Sequence, residues 1–204
     1  MKSRILIAAA CLAAPLLSGC GPAIVAGGAA VVAHTVVEER STMDALRDTE
    51  IELGIENALM NHSHSLYGDV TVNVNEGRVL LVGSVPTVAE KEAASRIAWE
   101  TEGVNAVDDE VFVAADSSTR QYFEDVKIGN AVRLRLLQDT AVASQNYDVV
   151  TFNRVVHLTG LARSRSELDR AIRHAQEVKG VTRVVSHVLT IDDPRRVRVT
   201  ATTG

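Results

Sequence analysis

Aromatic residues make up only 3% of this 204-residue chain. Its cores must therefore be built from Val, Leu, Ile and Ala, which suits small domains better than one large one. Cysteine is nearly absent: Cys11 and Cys20 are the two, and Cys11 lies inside an N-terminal apolar run, so no disulfide framework can hold the mature chain together. The motifs of catalysis are missing as well. There is no Gly-x-Ser-x-Gly, no phosphate-cradling Walker loop, no Cys/His metal array and, once Cys20 is used, no reactive thiol. Gly27-Gly28 and Gly83-Ser84 lack the strand, spaced glycines and helix that set backbone N–H groups on a pyrophosphate. These absences argue against an enzyme, and neither a catalytic residue, a cofactor nor a metal is expected.

What is present begins with an address. Lys2 and Arg4 precede an apolar run from Ile5 to Leu17, the layout of a secretory signal. The run ends in Leu17-Ser18-Gly19-Cys20, which resembles the bacterial lipoprotein signal. That resemblance implies cleavage after residue 19 and lipidation of Cys20. Two or three acyl chains, at about 0.8 kcal/mol per buried methylene, would anchor the protein without a membrane span. Gly21 follows, where an Asp would imply retention at the inner membrane in enteric bacteria, so the resemblance implies the outer membrane, on its periplasmic face. Residues 20–41 are rich in Gly, Ala and Val and read as a tether near the lipid surface or as a flexible small-residue linker. Their apolar part is too short to cross a bilayer, which takes about 20 residues.

Beyond the tether the chain repeats itself at an offset of 77 residues without insertion or deletion. Asp48 matches Asp125, Ile51 matches Ile128, Leu59 matches Leu136, Gly83 matches Gly160 and Gly103-Val104 matches Gly180-Val181. Most matched positions are apolar or Gly, the types that fix cores and turns. Two domains follow, over residues 42–115 and 119–193, with 194–204 as a flexible basic tail.

In the first copy Met43, Leu46, Ile51, Ile55, Leu59 and Met60 recur at helical spacing. Val70, Val72 and Val74 then alternate with polar residues, Asn75-Glu76-Gly77 makes a turn, and Val79, Leu81 and Gly83 return as a second strand. Thr87 with Glu90 forms a capping box before a second helix, Gly103 ends it, and 107–113 makes a last strand. The second copy repeats each device, with Ser164 and Glu167 as the capping box, Gly180 as the stop and 184–191 as the last strand. The fold class is α+β: two tandem αββαβ modules, each a three-stranded mixed sheet with two helices on one face. The remaining histidines give no metal site. His62-x-His64 reads as an exposed loop, and His157, His174 and His187 read as surface positions that are solvated or face a partner.

The strands Val79-Leu80-Leu81-Val82-Gly83 and Val156-His157-Leu158-Thr159-Gly160, with a Gly-Val pair before each last strand, resemble BON domains. Two such domains behind a lipoprotein signal resemble the dual BON-domain outer-membrane lipoproteins. In those proteins the second domain contacts anionic phospholipid through its first helix, aided by an aromatic near the start of that helix. The matching stretch here is 122–137, with Lys127 at the aromatic position and Tyr122 and Phe123 about one turn upstream; packing under the interdomain linker is the other reading of that pair.

Charge separates the copies. Between residues 48 and 114 there are 13 Asp/Glu against 3 Lys/Arg; between 120 and 199 there are 14 Lys/Arg against 9 Asp/Glu. The candidate lipid-binding residues are Tyr122, Phe123, Lys127, Arg133, Leu134 and Arg135, with Leu134 as an apolar tip between two cations. The expected partner is anionic phospholipid of the inner leaflet of the outer membrane. The alternative is a scaffold for envelope assembly proteins without headgroup recognition, or two copies that dock on each other through opposite charge. Nucleic acid does not fit the envelope address.

Overall fold

The computed structural model describes residues 42–114 and 119–196. Cys20 and the tether lie outside the described residues, as does the tail beyond residue 196.

The first copy runs α1 (Thr42–His62), α2 (His64–Asp69), β1 (Val70–Asn75), β2 (Arg78–Val85), α3 (Val88–Glu100) and β3 (Ala106–Val113). The second runs α4 (Thr119–Gln138), a short 3-10 turn (Ser144–Asn146), β4 (Tyr147–Phe152), β5 (Val155–Ala162), α5 (Arg165–Gln176), β6 (Arg183–Ser186) and β7 (Leu189–Thr190). In each copy the hairpin is antiparallel and the last strand lies parallel to the middle one, so both sheets are mixed. Ile51, Ile55, Leu59, Val79, Leu81, Ala94 and Ala98 fill the first core. The equivalent Ile128, Val132, Leu136, Val156, Leu158, Ala171 and Ala175 fill the second.

Two devices recur at matched positions. Asp48 is buried in α1 and accepts the backbone N–H groups of Glu76 and Gly77 at 2.8 Å each; Asp125 of α4 accepts those of Asn153 and Arg154 at 2.7 Å each. Both turns have two successive residues at positive φ. Their N–H groups point inward and need an acceptor there, so a helix carboxylate locks each hairpin. The second device is the strand glycine. A Cβ on Gly83 would stand 2.0 Å from the carbonyl oxygen of Asp69, and one on Gly160 would stand 2.0 Å from that of Asn146. The chain entering the hairpin crosses so close to its partner strand that no side chain fits.

The capping residues act as expected at their N–H partners: Thr87 Oγ1 accepts from Glu90 and Ser164 Oγ from Glu167, each at 3.2 Å. Glu167 itself is turned inward, where it accepts from the Ala143 N–H at 3.0 Å and the Arg163 Nε at 2.7 Å.

Several expectations are corrected. Residues 64–69 form a helix because Ser63 caps it, accepting from Leu66 N, while Leu66 is buried, so His62 ends one helix and His64 begins another instead of sharing a loop. The last strand of the second copy is broken at His187-Val188, where the Val188 N–H turns to Ser186 Oγ. Met43, Leu46 and Met60 do not join the core; they lie on the opposite side of α1 and are exposed. At the start of the tail, Arg196 forms a two-pronged pair with Glu76 at 2.5 and 2.9 Å, both side chains 7% exposed.

The helix-free faces of the two sheets meet. Leu80, Val82, His157, Thr159 and Leu161 are buried yet belong to neither helix-side core. Thr159 Oγ1 donates to Asn73 Oδ1 at 2.7 Å, and Phe112 stacks on Phe152 with ring centroids 6.4 Å apart. His157 is thus not solvated: the partner it faces is the other copy. The docking of an acidic copy on a basic one is visible in Arg196–Glu76; beside it His187 Nδ1 lies 3.4 Å from Asp108 Oδ2.

Candidate functional site

The helix α4 carries two apolar stripes. One is the core stripe already described. The other, formed by Phe123, Val126, Leu134 and Leu137, points outward: at 100° per residue these four fall within about 80° of arc, on the side away from Ile128, Val132 and Leu136. Phe123 is 58% exposed and Leu137 69%. The stripe runs for roughly 21 Å at 1.5 Å per residue, interrupted by Asn130. Tyr122 packs edge-on against Phe123, with centroids 5.8 Å apart, and both are exposed; the interdomain linker, against which the other reading placed them, lies outside the described residues. The pair forms an aromatic knob on the first turns of the helix.

The cations expected to flank Leu134 are partly committed elsewhere. Arg133 folds back to donate to the Val149 carbonyl and to Asn130 Oδ1, and Arg135 pairs with Glu177 at 2.7 Å. Lys127 meets Glu124 at 3.0 Å on an open surface, where such a pair contributes little and leaves the ammonium available. Across the rest of the copy, Arg163, Arg165, Arg170 and Arg195 also have carboxylate partners. These pairs engage many of the basic side chains and leave the net positive charge of the copy unchanged. Asp193 is pulled down to about 2 by the hydrogen bonds of Arg195. His174, read as a surface position, is half-buried and bonds Asp139 at 2.6 Å, which holds that carboxyl below its ordinary range, with the Ala141 N–H adding to the effect.

All six sequence-derived residues of α4 therefore share one helix, but the structure divides them. Phe123 and Leu134 join the outward stripe, Tyr122 and Lys127 border it, Arg133 reaches back to the Val149 carbonyl, and Arg135 holds a surface pair with Glu177. Val126 and Leu137 are the residues that sequence reasoning missed; their helical spacing from Phe123 was the available signal. Tyr122, Val126 and Arg133 also line an open groove of about 540 Å³ whose far wall is Gly68, Asp69 and Thr71 of the first copy. Among the described residues no helix is long and apolar enough to cross a membrane.

The fold and its surface define a tandem repeat protein of two small α+β modules, in which an outward helix face is the distinctive exposed feature. The chain belongs to the BON domain family, whose model matches residues 47–115 and 124–192. It is similar to the outer membrane lipoprotein DolP of Haemophilus influenzae, with 31% identity over 83% of this chain and 87% of that one. The osmotically-inducible protein Y of Escherichia coli is 32% identical over 70% of this chain and 72% of its own. An uncharacterized protein in gshII 5'region of Anaplasma centrale is 36% identical over 61% of this chain and 83% of its own.

Proposed function

We propose that this chain is a lipid-anchored protein of the cell envelope, held at the periplasmic face of the outer membrane through Cys20, whose second domain binds anionic phospholipid and thereby supports outer-membrane integrity. The observation that carries this reading is the outward apolar stripe of α4. A solvent-facing row of Phe123, Val126, Leu134 and Leu137 suits the boundary between headgroups and acyl chains, where an amphipathic helix lies in the plane of the membrane. Tyr122 has the amphipathic ring favoured at that depth, and Lys127 offers a charge worth about 1 kcal/mol near anionic headgroups. The relatives named as an outer membrane lipoprotein and as an osmotically inducible protein agree with an envelope role in stress. Tethering raises the local concentration of a weak binding face. The reading contains no catalytic step.

A specific observation favours the scaffold alternative. Met43, Leu46, Leu53 and Met60 form a second outward stripe on α1, on a copy dominated by carboxylates, which anionic lipid would repel and a basic protein partner would accept.

Flotation separates the two. Residues 36–204, which hold both domains, should float with phosphatidylglycerol vesicles and not with purely zwitterionic ones at moderate salt, and Phe123→Ser with Leu137→Ser should abolish flotation. A chain that floats with neither vesicle would replace the lipid reading with the scaffold.

A further inference from the structure

One group of side chains is assembled only where the two copies pack, and the lipid reading makes no use of it. Glu110 of β3, His157 of β5 and His187, at the break between β6 and β7, each offer a ligand atom within 4.8 Å of the others. Glu110 and His187 hold the same position in their modules, 77 residues apart, so equivalent strands meet here across the interface. His187 Nε2 lies 3.5 Å from His157 Nδ1 and 3.8 Å from Glu110 Oε1. Ligand atoms about 2.0–2.2 Å from a tetrahedral zinc ion stand roughly 3.4 Å apart. The two His187 separations exceed that by only a few tenths of an ångström, and the third is no more than 4.8 Å.

The surroundings fit a cation. His187 Nδ1 faces Asp108 Oδ2 at 3.4 Å, the carboxylate–imidazole arrangement that keeps the proton on the far nitrogen and turns the other lone pair toward a metal. That lone pair then points at the Glu110 carboxylate, and two electron-rich groups in this position call for a positive charge between them. His157 is fully buried, and Nδ1 is the ring nitrogen that it turns toward His187. Glu110 and Asp108 are 28% and 32% exposed, which leaves an outer edge for a water as fourth ligand. Arg78, 3.1 Å from Asp108, is the opposing charge beside the cluster.

We propose that Glu110, His157 and His187 form a binding site for a divalent transition-metal ion, zinc above all, that clasps the two BON domains to each other. Two imidazoles and one carboxylate with an open position form a ligand set that suits zinc, whereas magnesium and calcium prefer oxygen alone.

The test uses untagged residues 36–204, which contain neither cysteine. Zinc titration against a chelating indicator should show one ion per chain and a rise in Tm, and cobalt(II) should give the visible absorption of a tetrahedral site. Glu110→Gln and His187→Ala should each weaken zinc binding at least tenfold, and Asp108→Asn about tenfold through loss of the orienting carboxylate. His157 is too buried for its loss to be informative by itself, so the decisive variants are Glu110→Gln and His187→Ala, with circular dichroism confirming their fold. Changing His62 and His64 to Ala should leave binding intact. The proposal is overturned if zinc does not bind at tens of micromolar, if binding survives both Glu110→Gln and His187→Ala, or if it disappears only with His62 and His64. None of these outcomes touches the α4 face, so the lipid reading stands or falls separately.

Discussion

The helices α1 and α4 are the same element of the same module, and they agree wherever they face the core. Ile51, Ile55 and Leu59 in one are Ile128, Val132 and Leu136 in the other, and Asp48 and Asp125 lock the same turn. Their outward faces agree only at the ends, where Leu46 matches Phe123 and Met60 matches Leu137. Between those ends Glu50 becomes Lys127, Thr49 becomes Val126 and Asn57 becomes Leu134. One scaffold thus presents a helix that is apolar and acidic in the first copy, and one that is aromatic at its start and less acidic in the second. The fold is carried by what the copies share, and the proposed lipid-binding face by what they do not.

The sharpest way to break the shared part is at the strand glycines. Gly160→Ala should cost about 3 kcal/mol or more, from the clash with the Asn146 carbonyl together with the strain of a positive φ. Gly83→Ala meets the same obstruction without that strain and should cost somewhat less, both measured by urea unfolding of residues 36–204. Asp48→Ala and Asp125→Ala come next, each leaving two inward N–H groups without an acceptor, at about 2 kcal/mol apiece. Equal losses would confirm that the lock is the same in both copies; a clear inequality would show that one hairpin is held by something else.

The unshared part is probed on the outward faces. Leu137→Ser should weaken binding to phosphatidylglycerol vesicles by about tenfold, given roughly 1.5–3 kcal/mol for a fully buried apolar side chain and partial burial at a membrane surface, with stability almost unchanged. Met60→Ser, its counterpart in α1, should leave vesicle binding as it was. Equal effects of the two would erase the functional distinction between the copies.

The smallest effect belongs to Asp139, which pairs with His174 where the first copy has His62 at the matching position. Its carboxyl is held below the ordinary range, so the folded state is favoured by the ionised form. That contribution is complete above the normal carboxylate pKa of about 4 and fades as pH falls through the lowered value. Asp139→Asn should therefore be slightly less stable at neutral pH, with the difference closing in acid, as thermal melts across pH would show.

Much of this was legible in the residues. The offset of 77, the alternation in Val70, Val72 and Val74, and Thr87 and Ser164 as helix caps are local patterns, fixed within a few residues by backbone geometry. Asp48 and Asp125 were visible as a matched pair among apolar matches, but their role was not, because their partners lie 28 and 29 residues away. The partners of the arginines were hidden for the same reason. A count of charges finds Arg133 and Arg135, while only the packed structure shows one on the Val149 carbonyl and the other on Glu177. On α1, periodicity included Met43, Leu46 and Met60 in the core stripe because a helix with apolar residues on both sides gives no clear moment.

The sequence by itself determined that there are two modules, what elements compose them and which residues point toward each core, because hydrophobic period and turn chemistry act over short distances. Only the tertiary structure decided what the other faces do. His157 alternates away from its core in any reading of the strand, and whether it meets water, lipid or Glu110 and His187 depends on how two finished domains pack, a contact between residues 30 or more positions apart that no local pattern encodes.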